Sequence, residues 1–389
     1  MTNSPKRNRS SNSSKMVTTR RKNRNSPYKG NTNSARVMQV RRTPRMTLAG
    51  DRFIKCAFAP PDFATDPGQG IPDMYDGKVL MRKDQLSTTM SMAAGNDMFI
   101  ATVPIPGISY LYCVVPTGTF PLAGTTWASV YYNGYFDGSN GLAGNSSYWT
   151  GDNVTAFRYA SSCVGVYPTS NMLNSNGACQ VWKAPVKCVV SERRAGGLPN
   201  SLQYSITGLE STRVVAPENY TGKFLDGCYS VSTCNQPDFE FQSIINNLDG
   251  CPVSGVTAAD LDQYGTIPAP IAGVGSMDTT IIRLTAPVGS QNSFVIKTWN
   301  CLEYQVNTSS TLYMYAGNSP SYDPVALALY HKIKKNIPVA VTAAENATFW
   351  QRVLSIVQNV TKAASYIPGP LGFIAGGINN LANIIESVS

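Results

Sequence analysis

"TTIIRLTAPVG" (Thr279–Gly289) and "SFVIKTWNCLEYQV" (Ser293–Val306) decide the fold class. Each is a short run rich in β-branched and aromatic residues, and the first closes on Pro287 and Gly289, which block its continuation. "DMFIATVPIPG" (Asp97–Gly107), "LYCVVPTGTFP" (Leu111–Pro121) and "ACQVWKAPVKCVV" (Ala178–Val190) repeat the pattern. Runs of this length separated by turn signals predict antiparallel strands. With 25 prolines and 32 glycines the chain needs many turns, which favours a β-sandwich or barrel over a helical bundle. Its 389 residues are 42% hydrophobic and 10% aromatic, enough for one large domain or two ordinary ones. No internal repeat, P-loop or GxGxxG is present.

The net charge of +9 is unevenly placed. Residues 1–45 hold thirteen bases and no acid: Lys6, Arg7, Arg9, Lys15, Arg20, Arg21, Lys22, Arg24, Lys29, Arg36, Arg41, Arg42 and Arg45. The rest has nineteen bases against twenty-three acids, so a basic arm precedes a mildly acidic body. The first fifty residues offer almost nothing to bury and are expected to be disordered on their own. They read either as a solvated tail or localisation signal, or as an arm that binds a polyanion by releasing its counterions.

Nine cysteines are scattered without a CxxC or a zinc-spaced Cys/His cluster, and buried thiols are expected. No apolar run opens the chain, so no signal peptide is expected, and the sequons at Asn145, Asn153, Asn219, Asn307, Asn346 and Asn359 read as chance matches. No stretch of about 20 apolar residues predicts a transmembrane helix.

Towards the C-terminus the pattern changes. A short helix is predicted from Pro324 to about Lys335, closed by Pro338. "TAAENATFWQRVLSIVQNV" (Thr342–Val360) then shows helical spacing: Trp350, Val353, Leu354, Val357, Val360, Ala364 and Ile367 share one face. "PGP" at Pro368–Pro370 ends it, and an apolar tail with a single charge, Glu386, follows. The periodicity fits both a helix packed on the β-body and a membrane-active amphipathic peptide, and does not separate them.

Conventional catalysis is poorly supplied. His331 is the single histidine, and it lies on the Pro324 helix, so triad and histidine–metal schemes are excluded. In "PDFEF", Asp238 and Glu240 are two apart and would face one side of a strand. Such a pair fits a calcium site or an ordinary solvated face. Asn346–Ala347 is one of the bonds at which an Asn amide can attack its own main-chain carbonyl. That reaction needs a buried acid of raised pKa to polarise the carbonyl and protonate the leaving amine.

Six stretches resemble the insect nodavirus coat proteins, the alphanodaviruses of the Flock House virus group. They are "FIKCAFAPPDFATDPGQGIPDMYDGKVLMRKD" (Phe53–Asp84), "FRYASSCVGVYPTSNM" (Phe157–Met172), "CNQPDFEF" (Cys234–Phe241), "TWNCLEYQVN" (Thr298–Asn307), "IPVAVTAAENATFWQRV" (Ile337–Val353) and "IPGPLG" (Ile367–Gly372). They occur in family order from about residue 50 to the C-terminus. The arm resembles the family in character rather than in sequence.

The resemblance implies an eight-stranded antiparallel jelly-roll with surface loop insertions, a small inner helical part and a disordered basic arm. The implied divisions are an RNA-binding arm at 1–50, a shell domain at 51–336 and an inner C-terminal region at 337–389. It implies a homo-oligomeric T=3 icosahedral shell around single-stranded RNA, assembled in the host cytoplasm and carried in the virion. Arg20, Arg21, Lys22, Arg24, Arg36, Arg41, Arg42 and Arg45 would face the RNA. Autocatalytic cleavage of the aspartic type at Asn346–Ala347, with Asp62 of "PPDF" as the catalytic carboxyl, would free residues 347–389. Phe349, Trp350, Val353, Leu354, Val357 and Val360 would then meet a host membrane. Calcium at subunit interfaces is implied, with Asp152, Glu210, Asp238 and Glu240 as ligands. Glu210 stands where relatives tend to carry Asp, and Asn246 where they carry a further acid. Loops near 120–150 and 245–275 are implied to form the outer surface that contacts a host receptor. Two other readings are a cellular RNA-binding protein with a basic tail and a secreted pore-forming toxin; the first leaves the Asn–Ala junction unexplained, and the second lacks a signal peptide.

Overall fold

The computed structural model describes residues 46–58, 70–122, 125–132, 154–171, 175–184, 186–195, 198–216, 218–235, 239–245, 253–254, 267–268 and 277–343. Eight long or central strands carry the architecture: β1 (Lys78–Met92), β2 (Asn96–Thr102), β5 (Val154–Pro168), β6 (Ala178–Ala184), β9 (Asn219–Lys223), β10 (Cys228–Ser232), β14 (Thr279–Ala286) and β15 (Asn292–Val306). Shorter or inserted strands are β3 (Ile108–Pro116), β4 (Ala128–Tyr131), β7 (Lys187–Ala195), β8 (Leu198–Thr207), β11 (Gln242–Ile245), β12 (Val253–Ser254), β13 (Ile267–Pro268) and β16 (Gly317–Asn318).

Two sheets result. One has the order β13-β11-β5-β15-β1-β16, with β10 also paired to β5; the other has the order β4-β3-β2-β14-β6-β9. All pairings within them are antiparallel. Taken in chain order, the eight main strands cross back and forth between the sheets, which is the double Greek key of a jelly roll. The runs that opened the sequence reading are β14 and β15, each central in its own sheet. Both are buried along most of their length because packed layers cover both of their faces.

The two sheets close on one another through Met98, Ile100, Val164, Val166, Val181, Ile282, Leu284, Phe294 and Ile296, all buried. Fully burying one such side chain stabilises the fold by about 1.5–3 kcal/mol, so this layer is the main adhesive between the sheets. The other face of the second sheet is covered by Trp127, Tyr204 and Ile206, which pack with Phe99, Leu111, Trp182 and Ile281. The seven cysteines whose side chains are described are buried and outside any disulfide, as expected.

Two helices cover the remaining face of the first sheet. These are α1 (Leu48–Phe58) and α3 (Pro324–Asn336); a short α2 (Leu209–Val215) lies beside β6, where Thr212 accepts from Trp182 Nε1 at 3.2 Å. The α3 boundaries match the sequence expectation. α1 was not among the expected elements and spans the boundary expected at residue 50. Phe53 and Phe58 of α1 lie 5.5 and 5.0 Å from the Tyr330 ring, so its apolar face is buried against α3. No helix among the described residues is long and apolar enough to cross a membrane. The basic arm and the helix expected after Thr342 lie outside the described residues.

Asp323 joins the two helices. Its Oδ1 caps α3 by accepting from Val325 N and Ala326 N at 3.0 and 2.9 Å, and its Oδ2 accepts from Thr47 N at 2.6 Å. Asp323→Ala removes the cap and the link to α1 together, and is expected to lower stability by about 2 kcal/mol. Asp323→Asn, which keeps the cap acceptor, should cost less, as read from urea-unfolding midpoints.

Candidate functional site

The site begins with an irregularity in β5. Cys301 pairs with Ser161 and Leu302 with Tyr159, so Ala160 is an extra residue in the ladder. A bulge reverses the alternation of side chains beyond it. Arg158, paired with Glu303, therefore falls on the helix-covered face, in line with Ser161 opposite Cys301 and Cys163 opposite Trp299. Without the bulge it would point between the sheets.

Arg158 and Glu303 are both buried. Arg158 Nε donates to Glu303 Oε2. Its Nη1 donates to Asp73 Oδ2 and to the Phe239 carbonyl, the latter at 3.1 Å; its Nη2 donates to Asp73 Oδ1 at 3.2 Å. The guanidinium also sits 4.1 Å from the Phe241 ring centroid. One fork thus holds β15, the 70–76 segment and the 239–241 segment against β5. Burial pushes the Glu303 carboxyl up to about 7, against the pull of Arg158, with Asp73 adding repulsion. Burial opposes the Arg158 charge as well, but Glu303 and Asp73 outweigh it and Arg158 stays cationic. Glu303 Oε1 has no hydrogen-bond partner among the described residues.

Two backbone positions are shaped to this cluster. Gly70 has φ 116, and a Cβ there would press on Glu303 Oε1, so only glycine allows the approach. Phe239 has φ 48, a left-handed conformation costing about 1–2 kcal/mol for a non-glycine residue. Its ring packs 5.5 Å from Phe53 and 4.9 Å from Tyr330, while its carbonyl meets Arg158. The strand expected through "PDFEF" is accordingly not formed at Phe239, and β11 begins only at Gln242. Asp238 lies outside the described residues.

The chain approaching the Asn–Ala junction is tied to β10. Tyr229 and Val341 exchange backbone hydrogen bonds at 2.8 and 2.9 Å, and Ala343 N donates to the Asp226 carbonyl at 3.0 Å. Gly227, at φ 61, lies against Ala343. The Tyr229 ring is 6.2 Å from Trp299, on the same helix-covered face as Glu303.

Comparison with known proteins places this arrangement. The Peptidase A6 family profile matches residues 46–387. The chain belongs to the Peptidase A6 family. It is 42% identical over 359 residues to capsid protein alpha of Black beetle virus and to that of Flock house virus, covering 90% of this chain and 87% of each relative. Capsid protein alpha of Pariacoto virus is 36% identical over 88% of each chain. Among solved structures, the T13 IBDV viral particle gives a TM-score of 0.47 at 9% identity, covering 80% of this chain and 98% of that one; this is too low to bear on function.

Of the residues singled out from sequence in this A6 chain, Asp62, Asn346, Ala347, Asp152, Asp238, the arm bases and Phe349 to Val360 lie outside the described residues. Glu210 opens the first turn of α2 and Glu240 follows Phe239; both are exposed. Neither belongs to a cluster of three or more metal-ligating side chains among the described residues. His331 packs beside the Tyr330 and Phe239 rings. Sequence reasoning missed Arg158, Glu303 and Asp73. The available signal was a lone charge inside an apolar strand, in "FRYASSC" and again in "CLEYQV".

Because its folded pKa lies above the ordinary 4.5, Glu303 contributes stability that is complete below about 4.5 and lost as pH rises through about 7. Arg158→Met leaves Glu303 and Asp73 without their cation and is expected to cost about 3–5 kcal/mol above neutrality. The loss should shrink near pH 5, where Glu303 is protonated; urea-unfolding midpoints at the two pH values read the difference.

Proposed function

We propose that this chain is a capsid protein precursor that forms an icosahedral shell around single-stranded RNA and cuts itself once at Asn346–Ala347. Its relatives are capsid proteins, and its family is one of peptidases. The observation that carries the cleavage reading is a convergence in the core. Phe58, four residues before Asp62, is buried in the large apolar cluster of the first sheet, and Val341, five residues before Asn346, packs against the same cluster. At about 3.3–3.6 Å per residue the two groups are each within about 12–18 Å of an anchored position.

In this reading the Asn346 side-chain nitrogen attacks its own main-chain carbonyl carbon, and its proton passes to the Asp62 carboxylate as that carboxyl gives up its own. The bond to the Ala347 nitrogen breaks, leaving a succinimide at Asn346 and a free amine on Ala347. Asp62, kept protonated by burial, polarises the carbonyl and gives its proton to the leaving amine. The 43 residues after the cut form the membrane-active peptide. The thirteen bases of the arm neutralise RNA phosphates without reading sequence. Particles should convert to a chain ending at Asn346 and a peptide beginning at Ala347, seen by intact mass. Asp62→Asn is expected to slow conversion by about 100-fold or more, the range of a lost general acid. Conversion at the unaltered rate would remove Asp62 from the reaction.

Calcium fits the exposed positions of Glu210 and Glu240, from which each carboxylate can reach a neighbouring copy. With Asp152 and Asp238 they would supply hard oxygen donors and offset repulsion between acidic bodies. A chelator should loosen assembled shells, measured as faster proteolysis; unchanged resistance would exclude the ion.

A further inference from the structure

We propose that Arg158 and Glu303 form a positioning site for the cleavage reaction, holding the chain where it returns from the Asp62-bearing stretch. The proposal rests on the reading of Asp62 and Asn346 given above. Gly70 is the first described residue beyond that stretch, and it sits directly on Glu303. Three residues later Asp73 is gripped by both terminal nitrogens of Arg158. Stability alone does not account for this. An apolar pair of similar volume would hold two adjacent strands at least as well as a buried ion pair. The cluster also leaves Glu303 Oε1 unpartnered and needs a left-handed backbone at Gly70 and Phe239. Another buried pair, Arg283 with Asp97, bridges strands that are already neighbours, β14 and β2. Arg158 instead joins three segments distant in sequence, two of which flank proposed functional residues.

The charge of the cluster sets when it holds. The groups facing Glu303 are Arg158 on β5, Asp73 and Tyr75 on the 70–76 segment, and Cys301 on its own strand. With Glu303 protonated, Arg158 and Asp73 balance. Once Glu303 ionises, a net negative charge sits in an apolar site, supported on the Gly70 side by the Ile71 backbone N–H alone, which is costly unless that segment relaxes. Since burial raises the carboxyl to about 7, that change falls near neutrality.

The test is the cleavage rate in assembled particles of the full chain, measured from about pH 6 to about pH 8.5. The rate is expected to fall about tenfold or more as pH rises, the scale of effect that a small misplacement produces. Glu303→Gln, neutral at every pH, should cleave at the low-pH rate throughout. Asp73→Asn removes a repelling charge and frees Arg158 for Glu303, so its midpoint should move to lower pH. A flat profile for the unaltered chain overturns the proposal, as does an unaltered profile in Glu303→Gln. If Glu303→Gln does not assemble, an unmoved midpoint in Asp73→Asn overturns it. Asp62→Asn run in parallel separates the two ideas: continued cleavage there rejects the assigned acid, whereas the pH profiles judge Glu303.

Discussion

Burying an arginine and a glutamate side by side on a β-sheet is costly unless every remaining hydrogen-bonding position finds a partner. Here most of those positions are filled by drawing other parts of the chain in, and Glu303 Oε1 alone of the pair's oxygens makes no hydrogen bond. Arg158 has five donors in a rigid fork, and Glu303 takes only one of them. Asp73 and the Phe239 carbonyl take others, so two loop segments become fixed relative to β5 and β15. Phe239 then supplies the ring on which α1 and α3 meet. The helical layer, the segment behind Asp62 and the segment of Asp238 and Glu240 thus all depend on one guanidinium.

The jelly roll itself asks less of individual residues. Its two sheets are joined by an apolar layer in which volume and pattern matter more than identity. Insertions are accommodated at the margins, as β3–β4 extends one sheet and β7–β8 covers its outer face. This tolerance lets one architecture carry long variable loops while the helix-covered face keeps its specific contacts.

The cleavage chemistry proposed for this A6 chain needs no cofactor and no histidine. What it needs is a carboxylic acid, an asparagine and their confinement. The fold provides anchorage on both sides: α1 ends at Phe58 in the core, and Val341 is laced to Tyr229 of β10. A reaction that happens once per chain can be built this way, because turnover and product release impose no demands.

Much of this was legible in the sequence. Strand runs, the α3 boundaries and buried thiols followed from periodicity, Pro and Gly placement and composition, which are local properties. The basic arm was read from charge, and the junction and its acid from family resemblance; all three lie outside the described residues. The helix α1 was missed although Phe53, Ile54, Ala57 and Phe58 have helical spacing, because the run is short and stands beside the polar arm. Nor was the Arg158–Glu303 pair legible. A period of two assigns faces only while the ladder is regular, and the extra residue at Ala160 exchanges them. In the same way, the left-handed turn at Phe239 replaced a strand that alternation predicted through Asp238 and Glu240. Local sequence determined which segments became strands. Only the tertiary structure decided which charges meet, because a bulge and a turn are settled by what packs against them.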